Sequence, residues 1–408
     1  MKKQWLSIAL GIVTATGGFL DAGTIATAGE AGAKFGLGLI WVILVATIAI
    51  ILLVEMIGRF TAVSKKTYAE AIREDFGFRF YLLPLSSELI AESLMLAAEL
   101  GGISIALSLF TGISWHIFFP FVALFIWILA WRAPFDLIEN GPALLGLVTL
   151  SFLAGIIALG GIPAPLVPTL WHPSFQQGTV AEYLYLSAAI FGSTISPYLL
   201  YFYSSGAREE HWSGASLLLN RVTAIVGMGF GSMGSISLVV LAAIVLQPLN
   251  ISSNTLGELG LVMAKPFGIV GSLLFALVLF ATCTGAALEV VLAISYNLAQ
   301  GFGWEWGENK KPIEAARFNL VMTIFLLIAV VIGLIGIDPL QLALFASTVI
   351  ALFLPISLSP FLILMNDPQY LGNKTNGRFT NIAMIGILLL AFLVAIISLP
   401  LAILTGGG

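Results

Sequence analysis

A carboxylate stands where a membrane-spanning segment should carry none. The stretch Gly11 to Gly36, GIVTATGGFLDAGTIATAGEAGAKFG, is apolar enough to enter a bilayer, yet its middle holds Asp21 among Gly17, Gly18 and Gly23. A charged Asp at the centre of a transmembrane helix costs about 2.5–3.5 kcal/mol on insertion scales. Each glycine weakens a helix by roughly 1 kcal/mol relative to alanine. The pair of features predicts a helix broken at Asp21, with the carboxylate facing something cationic. A second stretch repeats the pattern. Ser187–Ser205 reads SAAIFGSTISPYLLYFYSS, with Gly192, Ser193, Ser196 and Pro197 near its middle. Pro197 removes a helix hydrogen bond and frees a carbonyl four residues back. Together the stretches offer hard oxygen: the Asp21 carboxylate, the Thr24, Ser193 and Ser196 hydroxyls, and carbonyls freed around Gly18 and Ser193. Such donors suit Mg²⁺, Ca²⁺ or Mn²⁺. Thioether sulfur is missing from both stretches, since none of the nine methionines lies between Met95 and Met228. One carboxylate among small side chains leaves room for a partly hydrated Mg²⁺, an ion that gives up its waters reluctantly.

Each of these residues also has a plainer role open to it. Asp21 and Thr24 could cap a second half-helix. Ser193 and Ser196 could bond their own helix carbonyls. Tyr198 fits packing or gating better than ligation. Glu88, Glu92 and Glu99 are separated by four and seven residues, which places them on one helix face within about 40°. That face is expected to line water or the bundle interior. Glu92 and Glu99 could form an ion vestibule, whereas Glu88, near a segment end, suits pairing with helix-end groups. Glu289 could line an inner vestibule or serve in a structural pair. Glu55 and Arg59, four apart, predict an intrahelical ion pair.

The elements that must position these residues follow from composition. Charged residues are 9% and hydrophobic ones 59%, against roughly 25% charged in a soluble domain. The class is therefore a polytopic, all-α membrane protein; the net charge of −4 is small and says nothing about a nucleic-acid partner, and none is expected. The single cysteine, Cys283, excludes an intrachain disulfide. Lys2, Lys3, an apolar run and Ala26-Thr27-Ala28 mimic a signal peptide, but Asp21 interrupts the run, so an uncleaved first helix is expected. With about 20 apolar residues per span, eleven spans are predicted: Leu6–Ala28, Leu37–Thr61, Leu83–Leu109, His116–Ala133, Ala143–Leu159, Tyr183–Ser204, Val222–Leu246, Phe267–Leu298, Ala316–Ile335, Leu340–Leu364 and Ile382–Ile403. A cytoplasmic N-terminus and external C-terminus then put every one of the 17 basic residues inside except Lys34 and Lys265.

The two interrupted segments lie five spans apart, so equivalent helices of two halves run in opposite directions. This is the pattern of inverted-topology repeats with a substrate site at the midplane. Residues 1–163 and 180–366 are read as the 5+5 repeats, with 378–408 as an extra helix, all in one transporter domain.

Several of these residues resemble a known family. GGFLDAGTIATAGEAGAKFGLGLIW resembles the first helix of the Nramp family of divalent-metal transporters, whose Asp-Pro-Gly-Asn motif stands here as Asp21-Ala22-Gly23-Thr24. Ser193-Thr194-Ile195-Ser196-Pro197-Tyr198 falls where that family has Met-Pro-His, and Ala98–Gly102 and Leu354–Tyr370 also resemble their counterparts. The resemblance implies a leucine-transporter-type fold and a divalent-cation cargo. The departures are informative. Ser196 replaces the family's metal-binding Met, Thr24 the motif Asn, and Tyr198 the motif His. Leu96 stands where an Asp of the family's proton route would fall, and Phe353 where a tenth-span Gln would. This pattern is similar to the Nramp-related magnesium transporter branch.

With those protonatable groups missing, uncoupled, voltage-driven import is expected. Two charges at about 100 mV carry about 4.6 kcal/mol, roughly a thousandfold accumulation. The alternatives are a proton-coupled Mn²⁺/Fe²⁺ transporter, and an ion-coupled amino-acid or other organic-solute transporter of the same fold. In the latter, Asp21 would sit awkwardly beside a substrate carboxylate. No enzyme is expected: there is no HExxH, P-loop or nucleophile–His pairing, and His116, His172 and His211 fall near span ends or in loops. Lipid and the transported cation are the only partners implied, no cofactor is called for, and nothing demands an oligomer.

Overall fold

The computed structural model describes residues 20–132, 147–172, 178–249, 251, 255–307, 310 and 313–405. Among these residues the chain is almost wholly helical, without a β-strand. Nine helical segments are long and apolar enough to cross a bilayer. They correspond to expected spans two to four and six to eleven. The fifth is present as a shorter apolar helical stretch, Leu147–Ala158, and the first as a half-helix; their N-terminal parts lie outside the described residues.

In chain order the elements are α1 (Ala22–Phe35), α2 (Ile40–Ser64), the short α3 (Tyr68–Phe76), α4 (Phe78–Thr111), α5 (Trp115–Arg132), α6 (Leu150–Ala158), α7 (Val180–Thr194) and α8 (Pro197–Glu209). Then come α9 (Leu217–Val222), a π-helical turn (Thr223–Gly227), α10 (Met228–Val245), α11 (Leu261–Phe302), α12 (Ala316–Leu334), α13 (Pro339–Leu364), α14 (Pro368–Leu371) and α15 (Arg378–Thr405). Local chemistry sets several ends. Thr67 and Glu70 form a capping box that starts α3, and Gly112 ends α4 in a left-handed conformation at φ 74°.

Two boundaries differ most from expectation. The first span was expected to end at Ala28, but α1 continues to Phe35. The chain beyond Ala28 packs closely against neighbouring elements, and small residues such as Gly29, against Leu259, and Gly32, against Val239 of α10, permit that closeness. The span expected at Phe267–Leu298 is preceded by a further helical stretch from Leu261, with a break at Gly268 (φ 60°, ψ −141°). Pro266 removes a donor there and glycine alone accepts that backbone freely.

At the centre lies α4, packed on α11, α13, α5 and α12. Helix α1 packs against α10, α7 and α13, and α2 against α8, α10 and α7. The interrupted elements are thus enclosed by the bundle, while α15 turns apolar side chains such as Ile382 and Leu389 outward, as a lipid-facing helix does.

Candidate functional site

The first interruption is built by Asp21 itself. Its backbone is extended (φ −129°, ψ 178°) and it is the N-cap of α1. Asp21 Oδ1 accepts hydrogen bonds from the Thr24 amide at 2.6 Å and the Thr24 hydroxyl at 2.8 Å. The Asp21 amide reaches Thr24 Oγ1 at 2.7 Å. This is a reciprocal capping box. It uses one carboxylate oxygen and leaves Oδ2 buried with no hydrogen-bond partner among the described residues. The cap therefore occupies one oxygen of the side chain and leaves the other over. Thr24 takes the capping role.

The second interruption separates α7 from α8 at Ile195 and Ser196, with Pro197 opening α8 where its missing N–H costs nothing. No side chain caps this helix. Ser196 Oγ donates back to the Gly192 and Ser193 carbonyls at 3.3 and 3.2 Å, and Ser193 Oγ to the Ile190 carbonyl at 3.2 Å. The self-bonding open to serine is what both adopt.

The two interruptions meet. Thr27 Oγ1 lies 3.3 Å from Ser193 Oγ, joining α1 to α7. Ser347 of α13 touches both sides: a Cβ at Gly23 would come within 2.6 Å of its Oγ, and one at Gly192 would overlap its carbonyl oxygen. Glycine at these two positions is a steric requirement. Neither Thr27 nor Ser347 stood out in the sequence.

The carboxylates expected on one face of α4 are all buried. Glu99 Oε1 accepts the Ala22 amide of α1 at 2.9 Å, a helix-end N–H directly beside Asp21. Neither oxygen of Glu92 has a hydrogen-bond partner among the described residues. Glu88 departs from expectation: its partner is the Ser357 hydroxyl of α13 rather than a helix-end group, because α4 and α13 pack side by side. Glu55 and Arg59 pair as expected, at 3.3 Å. Glu289 and Tyr198 are both buried, and Tyr198 lies within electrostatic range of Asp21, Glu289, Glu99 and Glu92. Gly18 lies outside the described residues.

One expectation needs correcting. Sulfur was read as absent from both interruptions, but the terminal methyl of Met95 lies against Gly23, about 3.0 Å from where a Cβ would sit. Met95 falls between Glu92 and Glu99 at helical spacing, so it shares their face of α4. The same three-and-four periodicity that grouped the glutamates would have found it.

No Lys or Arg lies within ion-pair distance of Asp21, Glu88, Glu92 or Glu99 among the described residues. No group of three or more His, Cys, Asp or Glu side chains is placed to hold a metal there either. Asp21 Oδ2 at the break and, on α4, both oxygens of Glu92 and Oε2 of Glu99 are thus buried carboxylate oxygens without a hydrogen-bond partner among the described residues.

A family profile described as natural resistance-associated macrophage protein-like (Nramp) matches residues 11–400. The chain belongs to the Nramp family. Its relatives are described as divalent metal cation transporters MntH, not as enzymes. One from Acidiphilium cryptum is 26% identical over 392 residues, covering 92% of this chain and 86% of its own. One from Deinococcus radiodurans is 24% identical over 416 residues, covering 97% and 89%. Among solved structures, the Eremococcus coleocola manganese transporter superposes with a TM-score of 0.76 at 20% identity, covering 96% of this chain and 85% of that one. MhsT in complex with L-phenylalanine superposes at 0.62 and 16% identity, covering 96% and 98%. The fold is thus that of the Nramp proteins and, more distantly, of MhsT. This Nramp chain is a multi-pass membrane protein.

Proposed function

We propose that this Nramp protein moves a divalent metal cation across the membrane by alternating access, with Asp21 Oδ2 as the charged contact and Mg²⁺ as the principal ion. The observation that carries this reading is the buried, unpartnered Asp21 Oδ2 at a helix break, with no basic side chain in reach among the described residues. A carboxylate so placed is costly until a cation meets it. Thr24 holds the other oxygen and so aims this one. Backbone carbonyls and hydroxyls at Ser193 and Ser196 supply neutral oxygen across the junction. Oxygen donors around the Asp21 carboxylate match a partly hydrated Mg²⁺, which binds through one or two carboxylates. Tyr198, Glu92, Glu99 and Glu289 form the path to and from this point.

Leu96 and Tyr198, where the family resemblance implies protonatable side chains, support movement driven by membrane potential without proton coupling. The basic-residue distribution supports a cytoplasmic N-terminus and import. A second reading, a proton-coupled manganese transporter, is favoured by Met95 against Gly23; the relatives' names, divalent metal cation transporter, fit both readings. Thioether sulfur suits softer ions.

Flux in proteoliposomes decides between them, using Mg²⁺, Mn²⁺ and Ca²⁺ with wild type and Asp21→Ala at fixed pH and voltage. Mg²⁺ uptake without lumenal acidification, lost in Asp21→Ala, is the expected result. Mn²⁺ uptake accompanied by acidification, with Mg²⁺ inert, replaces the first reading with the second.

A further inference from the structure

A cavity lined by charged and apolar residues adjoins α2 at Ile51, Leu52, Glu55 and Arg59. Its volume is about 410 Å³, within the range of about 300–1,000 Å³ typical of small-molecule sites. It is an open cavity lined by α2, the end of α9, the π-helical turn, the connection between α14 and α15, and the start of α15. Three basic side chains, Arg59, Arg221 and Lys374, line it against one carboxylate, Glu55. Glu55 is already shared, with Arg59 Nε at 3.3 Å and Arg221 Nε at 3.7 Å. Arg59 is further committed to the connection, donating to the Lys374 carbonyl and to Asn376 Oδ1 at 2.7 Å. Arg221 keeps 66% of its side chain exposed, and no carboxylate pairs with Lys374 among the described residues. The cavity therefore carries surplus positive charge on two side chains that have room to turn toward a ligand.

Its surroundings distinguish among anions. The π-helical turn inserts an extra residue per turn, a distortion often found at functional sites. Here it leaves Ile225 and Val226 exposed, and Ile225 lines the cavity. On α2 the lining residues Ile51 and Leu52 continue into exposed Ile48 and Leu44. A soluble anion gains nothing from this apolar track. An acyl chain does. The basic residues that line the cavity belong to the set placed on the cytoplasmic side by the charge distribution, where anionic lipids are attracted to basic pockets.

We propose that this cavity is a binding site for the phosphodiester headgroup of an anionic phospholipid of the cytoplasmic leaflet. Arg221 and Lys374 receive the phosphate, and α2 and the π-helical turn receive the chain. The bound lipid tethers α2 to the α14–α15 connection.

Thermal unfolding of the purified full-length protein in detergent tests this, during titration with short-chain phosphatidylglycerol, short-chain phosphatidylcholine or inorganic phosphate. Phosphatidylglycerol is expected to raise the melting temperature saturably, and the other two to leave it unchanged. Arg221→Gln and Lys374→Gln should each weaken the apparent phosphatidylglycerol affinity about fivefold. The double variant should abolish the shift, and Lys265→Gln, away from the cavity, should keep it. An unchanged phosphatidylglycerol response in both single variants overturns the proposal. An equal response to inorganic phosphate also overturns it, in favour of a soluble-anion site. None of these readouts depends on which ion is transported.

Discussion

The two helix interruptions look alike in sequence and are opposite in construction. At the first, Asp21 and Thr24 cap the helix and leave one carboxylate oxygen over. At the second, proline opens the helix and the serines bond back into the turn they came from. One side is charged and fixed by its own cap. The other is neutral, with hydroxyls held at 3.2–3.3 Å that can be redirected at little cost. An asymmetric pair of this kind gives a cation one firm anchor and one yielding wall. That combination favours an ion which must be released again over an ion held permanently.

The sharpest way to break this contrast is Asp21→Asn. Asn caps a helix as well as Asp, so thermal stability should stay near wild type. Removing the charge from a buried site should cost about 3 kcal/mol of ion binding or more, roughly a hundredfold. Uptake that survives Asp21→Asn would mean the first break is only structural. Next in size is Ser196→Met, which makes the neutral side soft. Competition between Mg²⁺ and Mn²⁺ or Cd²⁺ should move toward the softer ions by about tenfold, and unchanged selectivity would count against Ser196 facing the ion. Met95→Leu sharpens the same question from α4. It keeps volume and removes sulfur, so Mg²⁺ flux should stay within about twofold. A selective fall in Mn²⁺ flux would instead show that Met95 is a ligand. The smallest effect belongs to Thr24→Val, which removes one half of the capping box. It should destabilise the protein by about 1 kcal/mol, read as a lower melting temperature with transport retained.

What was legible beforehand was local. Asp21 among glycines and Pro197 after two serines announce breaks because backbone conformation is decided by neighbouring residues. The Glu55–Arg59 pair was visible for the same reason. What was hidden depends on packing between helices remote in sequence. Met95 and Ser347 reach the junction only because α4 and α13 flank α1. Glu88 meets Ser357 instead of a helix end through the same neighbourhood. No periodicity within one helix states which partner lies across from it. The break at Gly268 was local in origin, but the apolar run around it masked the Pro266 signal.

Ser347 has a mechanical consequence. A single small residue of α13 is wedged against the glycine of one break and the glycine of the other. Under the proposed alternating access, a movement of either break relative to α13 must therefore open or strain a contact at this one residue. A larger side chain at that pivot would crowd the first break at Gly23 directly, whereas the second, which meets the backbone carbonyl, would feel it only through a shift of α13.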